Sequence, residues 1–560
     1  MKVKDLRGIN GALYQRGVAW MPVTYDEGSV TVGPLVAPGR ATCYECLLLR
    51  VYERHNGAGD SDPDDTARCV NRRAPGKDLY PQLSSLCLNA ADRVLGKRRL
   101  SRRYQPRYTA YADGRTSEAR VVAHPLCSIC AGKIKHRRLV LRSRKNIYSA
   151  GGFRSVSAEI TIKRSRHLIG ELGPILELQD QSFCGLSIFG AVGAFPANIL
   201  KRNRCPYLLR YTGKGSSQVQ SAVSAVAEAI ERTCAGFAES MVDFTGTRNQ
   251  LGDKAVDIRE LAFNISEINK DYNEQVVNWT RAWSLTDGSP LFIPTEFASL
   301  PSYPINGAVT LVPQHTTNGF AAGNNLEEAI LQALLEVIER HNMWLAKHVG
   351  ELVKRICLSD VQIPGLQKII ASAQAEGMET SLYLISSDIE IPTVAALLRS
   401  RAEGLPAYSV GFGCHLDPQI AIERALTEAV QMLSMQREIM VNDSELMQQI
   451  TSYKGRVEDL SEDDVFYYSL EPSIGARFFR TYLECIDHAN LKSIRRFVSR
   501  DIKQNIQYIV DYLKQAGCEV YVADRSAWNY YFRVVKVIVT TLQPPSNIVQ
   551  SHRLRKYFER

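Results

Sequence analysis

An α+β chain in two parts, a small metal-binding segment followed by a larger domain of mixed sheets and amphipathic helices, is predicted by three observations. Two CxxC hooks, Cys43 with Cys46 and Cys127 with Cys130, lie close to the N-terminal side of the sequence. From about Gly151 onward, amphipathic helical patterns alternate with β-branched runs such as Phe532 to Val539, the mixture expected where helices pack on sheets. The chain is 560 residues long, more than one hydrophobic core usually serves. The change of pattern puts a boundary near residue 148, giving a segment 1–148 and a domain 149–560.

Composition narrows the function classes. With 45% hydrophobic and 23% charged residues, the chain is ordinary globular protein rather than disordered, collagenous or repetitive. The opening MKVKDLRGINGALYQRG spreads its charges and lacks the apolar stretch of a signal peptide. No later apolar run approaches the roughly 18 to 20 residues that span a bilayer, so a cytoplasmic protein without a membrane role is expected. Thirteen cysteines, an odd number without an export signal, read as thiols and metal ligands rather than a disulfide framework. The net charge of +9 is concentrated at Lys97 to Arg107 and Lys133 to Lys145. Apart from Tyr104 those clusters carry no interleaved aromatics; they read as solvated basic faces and predict no nucleic-acid partner. The polar stretch NGAGDSDPDD, Asn56 to Asp65, has the chemistry of an exposed loop.

The two hooks together offer four soft ligands, the complement of a tetrahedral structural zinc site. A redox dithiol, which needs one CxxC, and unrelated buried cysteines are the competing readings. Cys69 and Cys87, between the hooks and without close partners, are expected to be core thiols.

Three helical patterns in the larger domain share one register. In SAVSAVAEAIERTCAGFA the core stripe is Val223, Val226, Ala227 and Ile230, with Glu228 and Glu231 beside it. In LEEAILQALLEVIERHN the stripe is Leu331, Leu334, Leu335 and Ile338, with Glu336, Glu339 and Arg340 in the places of Glu228, Glu231 and Arg232. In IAIERALTEAVQ it is Ile422, Leu426 and Val430, with Glu428 and Gln431 at the equivalent offsets. A glycine-bearing stretch precedes each: GKGSS from Gly213, NGFAAGNN from Asn318 and GFGCH from Gly411. Glycines admit backbone N–H groups close to an anion, helix N-termini favour it, and convergent carboxylates bind Mg²⁺, which bridges to phosphates. No GxGxxG or GxxxxGK[ST] loop occurs, so a nucleotide site here must be built from helices. Glutamate-faced helices packed in a bundle would give the same pattern.

These segments, in order ExxER at 228–232, TNGFAAGN with EEA and ExxER at 317–340, and GxGxH with ALTEAxQ at 411–431, resemble the YcaO family over roughly residues 150–545. The resemblance implies a YcaO-type ATP-binding domain in which Ser224, Glu228, Glu231, Asn324, Glu328, Glu336, Glu339, Arg340, Arg424 and Glu428 contact ATP or its Mg²⁺. Glu228, Glu231, Glu336 and Glu339 are the metal ligands it singles out. GPLVAPGRATCYECLLLR and HPLCSIC resemble the zinc-binding, ThiF-like C-terminal part of the E1-like proteins that accompany or are fused to YcaO cyclodehydratases. Zn²⁺ on Cys43, Cys46, Cys127 and Cys130 follows from that resemblance as well as from the hooks. Two departures are visible: His341 stands where Asp often follows ExxER, and the sequence ends SHRLRKYFER where many azoline-forming members carry PxPxP.

The implied activity is ATP-dependent cyclodehydration of Cys, Ser or Thr in a ribosomally made precursor peptide, of the bacteriocin kind, giving thiazolines or oxazolines. Backbone thioamide formation and a non-catalytic peptide-delivery scaffold are the alternatives. Without a peptide-clamp segment in the sequence, a separate leader-peptide-binding protein is expected, and oxidation to azoles would need a partner FMN-dependent dehydrogenase. Homo-oligomerisation is left open.

Overall fold

The computed structural model describes residues 3–26, 29–39, 42–55, 80–95, 103–130, 138–147, 151–194, 208–261, 271–300, 304–311, 316–361, 363–400, 402, 404–456, 460, 462–527, 530–544 and 551–558. The loop expected at 56–65, Cys69, residues 97–102 and 133–137 of the two basic clusters and the boundary residue 148 lie outside that set. Among the described residues no helix is long and apolar enough to cross a membrane.

The N-terminal part is an antiparallel sheet in the order Val23–Asp26, Ser29–Val32, Tyr104–Tyr111, Thr116–Val122, flanked by helices Val3–Gln15, Tyr44–His55 and Tyr80–Leu95. Cys87 packs at the edge of a small core around Leu86, Ala90 and Tyr108, as expected of a core thiol.

The rest is an assembly of mixed sheets and amphipathic helices. A three-stranded sheet joins Ile175–Asp180, Ser187–Ala194 and Leu208–Gly215. A six-stranded sheet runs Pro290–Pro294, Val277–Ser284, Val520–Asp524, Arg533–Val539, Phe320–Gly323, with Phe244–Gly246 beside Val277–Ser284. A five-stranded sheet runs Tyr408–Cys414, Thr393–Arg399, Glu379–Ile385, Val353–Ile356, His488–Ala489. The β-branched run forms the inner strand Arg533–Val539, with every residue after Arg533 buried, so both faces of this strand are covered.

Each sheet delivers one glutamate helix. Strand Leu208–Gly215 leads into helix Gln218–Ala235, strand Phe320–Gly323 into helix Leu326–His348, and strand Tyr408–Cys414 into helix Pro418–Asn442. Each helix starts at a side-chain cap: Ser217 accepts from the Gln220 N–H, Asn325 from that of Glu328 and Asp417 from that of Gln419, satisfying donors the helix cannot. The strand glycines serve this junction. A Cβ on Gly213 would lie 2.0 Å from the Ala225 nitrogen, and one on Gly411 2.2 Å from that of Ala429. The glycine-bearing stretches therefore let each helix lie directly on its own strand.

The stripes of the second and third helices are buried as expected, but the first differs. Val226 and Ile230 are in the core, joined by Ala222, Ala225 and Ala229, whereas Val223 and Ala227 are only half-buried and line a cavity. Small alanines take over the core face because the helix lies so close to its strand.

Two polar ties hold the parts together. Arg50, 1% exposed, donates to Glu53 at 2.8 Å, to the Val122 and Ala123 carbonyls, and to the Tyr530 hydroxyl at 2.5 Å. Glu53 also pairs with the buried His124 at 2.8 Å. Removing any member would leave a buried polar group unmatched. The connecting stretch 138–147 is tied along the larger part, with the Arg142 N–H on Glu327 at 2.6 Å and the Arg144 N–H on Asp501 at 2.9 Å.

Candidate functional site: a helix-lined acidic cavity and a four-cysteine cluster

The three glutamate helices converge on a cavity of about 1150 Å³. Ser224, Glu228, Glu231, Asn324, Glu328, Glu336, Arg340, Arg424 and Glu428 all lie on its wall, although they are spread over more than two hundred residues of sequence. Glu339, by contrast, sits behind the wall, 2% exposed, accepting the Cys414 N–H at 2.8 Å. Of the ten residues expected, the structure thus gathers nine on the wall and places the tenth one layer deeper.

The wall alternates anions with cations. Arg232 bonds Glu231 at 2.9 Å and lies 3.5 Å from Glu228. Lys214 bonds Glu428 at 2.7 Å, and Arg340 reaches Glu428 at 3.8 Å and Glu339 at 3.6 Å. Arg424 donates to Gln332 at 2.8 Å. Glu328 is held differently: it accepts from the N–H and hydroxyl of Ser155 and from the N–H and amide of Asn324, which fixes the entry to the second helix. Thr161 in turn donates to Asn324 Oδ1 at 2.7 Å.

Several of these groups are displaced from their ordinary ionisation. Burial, then the charges of Glu336 and Glu228, push the Glu231 carboxyl up to about 8. Burial and Glu339 push Glu336 up to about 7, against the pull of Arg340 and Arg232. Burial opposes ionisation of Glu428 too, but Lys214 and Arg340 outweigh it and hold this carboxyl below its ordinary value. Burial also lowers the Lys536 amine, to about 8, behind Glu336 and Glu231. Crowded carboxylates that must hold protons are the donor set a divalent cation relieves, so these residues fit Mg²⁺ and the phosphates it would accompany.

Lys214 and Arg232 belong to the same electrostatic unit and were not singled out by sequence reasoning. Arg232 shares the ExxER register with Arg340, a signal that was available. Lys214 sits on a strand beside Gly213, and nothing local marks it; it meets Glu428 only through the tertiary fold.

The second cluster is in the N-terminal part. Cys43, Cys46, Cys127 and Cys130 are buried with their sulfurs all within 4.8 Å of one another. Cys43 lies 3.5 Å from Cys127 and 3.9 Å from Cys46, and Cys46 lies 3.2 Å from Cys130. Ligands about 2.3 Å from a tetrahedral zinc stand just under 4 Å apart, so the four sulfurs fit one zinc. The His124 N–H points to Cys46 Sγ at 3.3 Å and the Cys130 N–H to Cys127 Sγ at 3.5 Å, the support thiolates need. The hooks come together because Cys43 and Cys46 open helix Tyr44–His55 while Cys127 and Cys130 lie in the turn after strand Thr116–Val122.

Residues 212–543 match the profile of a family described as YcaO cyclodehydratase, ATP- and Mg²⁺-binding. The chain belongs to the YcaO family. Relatives of this YcaO chain include an uncharacterized protein of Methanothermobacter thermautotrophicus, 33% identical over 229 residues, covering 40% of this chain and 57% of the relative. The ribosomal protein S12 methylthiotransferase accessory factor YcaO of Escherichia coli is 31% identical over 121 residues, 21% of this chain and 20% of that protein. The chain spans about half the length of the first curated relatives it matches. Among solved structures, a heterocyclase in complex with substrate and cofactor superposes with a TM-score of 0.73 at 22% identity, over 98% of this chain and 76% of that one. The heterocyclase TruD gives 0.65 at 21%, over 100% and 75%. YcaO from Methanopyrus kandleri, bound with AMPPCP and Mg²⁺, gives 0.55 at 21%, over 71% and 94%. At these identities the likeness establishes a shared fold, which for the first two extends over the N-terminal part as well.

Proposed function

We propose that this YcaO chain is an ATP-dependent cyclodehydratase that converts Cys, Ser or Thr of a ribosomally made precursor peptide into thiazoline or oxazoline rings. The observation that carries this reading is the convergence of Glu228, Glu231, Glu336 and Glu428 with Lys214, Arg232, Arg340 and Arg424 on one cavity. Family membership supports the nucleotide and the metal.

In this reading Glu228, Glu231 and Glu336 hold Mg²⁺, which neutralises phosphate charge, and Glu339 supports the set from behind through its grip on the Cys414 N–H. Arg340, Arg424 and Lys214 face the phosphates, while Ser224, Asn324 and Glu328 orient the nucleotide from the entry of the helices. The peptide side chain gives up its S–H or O–H proton to solvent and attacks the preceding backbone carbonyl, forming an S–C or O–C bond and an oxyanion. That oxygen takes the γ-phosphoryl group and ADP departs. Loss of the amide proton and of phosphate then leaves the C=N bond of the azoline, so one water equivalent leaves the peptide for each ATP consumed. The chain's share of the work is positioning and charge neutralisation. Zn²⁺ on the four cysteines is structural. We take 1–148 as the zinc-bearing, E1-like segment and 149–560 as the nucleotide domain. The partners of the reading are the precursor peptide, a leader-binding protein and an FMN-dependent dehydrogenase.

The test is mass spectrometry of a Cys-containing precursor incubated with the chain, MgATP and a leader-binding protein. Loss of about 18 Da per ring, the mass of one water, with stoichiometric phosphate is expected. ATP turnover without any mass loss would overturn the ring-forming reading.

A further inference from the structure

The cavity is larger than a nucleotide site needs to be, and its chemistry divides along the helices. Small-molecule sites run to about 300–1,000 Å³, and this one reaches about 1150 Å³. Along the second helix the wall reads Glu328, Gln332, Glu336 and Arg340, then Met343. Along the third it reads Glu423, Arg424, Thr427, Glu428 and Gln431, then Met432 and Met435 with the neutral Gln436. At 1.5 Å rise per residue, Met343 stands about 10 Å beyond Glu336, and Met432 about 6 Å beyond Glu428. Charge gives way to thioether on both helices, and Phe412 of the five-stranded sheet with Phe466 and Phe478 of two short later helices line the same end.

That end has little use for a phosphate. Among the described residues the charged groups near that end are engaged: Lys347 sits over the Trp344 and Phe478 rings at 4.4 and 4.8 Å, and Arg210 pairs with Glu438 at 2.7 Å. Gln436, 1% exposed on this wall, donates to the Tyr408 and Phe466 carbonyls and to the Ser469 hydroxyl, so it fastens the lining in place. Methionine and aromatic walls adapt to apolar side chains of differing shape.

Resting on the cyclodehydratase reading, the geometry points to a side-chain chamber for the peptide: the residue whose carbonyl is attacked, immediately before the cyclised Cys, Ser or Thr, is a large apolar one and seats among Met343, Phe412, Met432, Met435, Phe466 and Phe478. Its side chain is attached one carbon from the reacting carbonyl. A carbonyl at the edge of the carboxylate cluster therefore puts that side chain at the start of the apolar end. Lys347 disfavours a basic residue there.

The probe is a fluorescein-labelled peptide series, Gly-Gly-Xaa-Cys-Gly-Gly, with Xaa as Phe, Leu, Ala or Lys, titrated with the full chain and followed by anisotropy in MgADP. Phe and Leu peptides are expected to bind at least about tenfold more tightly than Ala and Lys, the discrimination an apolar pocket gives. Met432→Trp, which fills the chamber, should level the series while leaving MgATP binding within about twofold. A flat series in the unaltered chain overturns the chamber. Loss of MgATP binding in a folded Met432→Trp protein overturns it too, because the apolar end would then house the base. Failure of the ring-forming reading is seen separately: ordered binding of the series, with no loss of about 18 Da from a leader-bearing Cys precursor in MgATP and a leader-binding protein, keeps the chamber and removes the chemistry.

Discussion

Glu336→Gln separates an acidic ligand site from a polar core. Glu336 is half-buried on the cavity wall and its carboxyl is pushed up to about 7 by burial and Glu339. Relative to an ordinary glutamate near 4.5, ionising it in the folded, ligand-free chain costs up to about 3 kcal/mol. Protons shared with Glu231 and Glu339 absorb part of that, so on the order of 1 to 3 kcal/mol is expected. Because the folded value is the raised one, the penalty is absent below about pH 4.5 and fully developed above about pH 7. Glutamine keeps the size and removes the charge. The variant should therefore match the parent near pH 4.5 and exceed it in stability by that amount at pH 8. MgATP should reverse the order: the parent gains stability by mass action, the variant gains little, and ring formation is lost. The assay is a denaturant titration at both pH values, with and without MgATP, beside the mass-spectrometric assay. A Glu336→Gln protein that is stabilised by MgATP as much as the parent and still forms rings would refute the nucleotide site.

Metal analysis of the purified chain should find about one zinc, lost in a Cys43→Ser/Cys127→Ser variant whose N-terminal part unfolds; full retention of zinc would refute the site. Gly411→Ala should cost about 3 kcal/mol in urea unfolding, because its Cβ would meet the Ala429 nitrogen at 2.2 Å and the Ala425 carbonyl at 2.3 Å; an unchanged midpoint would show that the helix can ride away from its strand. His167, 7% exposed, has its imidazole lowered to about 4 by burial and by Arg103 and Arg120. The unfolded chain therefore binds the extra proton between about pH 6.5 and 4, and stability should fall by about 2 to 3 kcal/mol across that window. The difference in stability between the parent and His167→Phe should change by that amount across the window, and a difference that stays constant from pH 7 to 4.5 would refute it. With the chain alone, precursor processing is expected to be slow and to rise when a leader-binding protein is added; undiminished turnover without one would show that the chain engages the leader itself.

The sequence by itself determined the chemistry-bearing units. The ExxER repeats and the apolar stripes of the second and third helices are local patterns, set by the period of the helix. The CxxC hooks were local in the same sense. What only the tertiary structure decided depends on residues far apart in the chain. Lys214 meets Glu428 because strand Leu208–Gly215 and helix Pro418–Asn442 come from different sheets, and no spacing in sequence encodes that meeting. Glu339 and Glu336 share a helix, yet one is claimed by the Cys414 N–H and the other faces the cavity, because helix position fixes direction but not what waits there. Val223 and Ala227 read as core by hydropathy and became cavity wall because glycines in the preceding strand bring the alanine face of the helix inward. The same holds for the four sulfurs: each hook presents two thiols, and strand Thr116–Val122 brings the second pair beside helix Tyr44–His55. Hydropathy and spacing report what a residue prefers to touch; the packing of one element on another settles what it does touch.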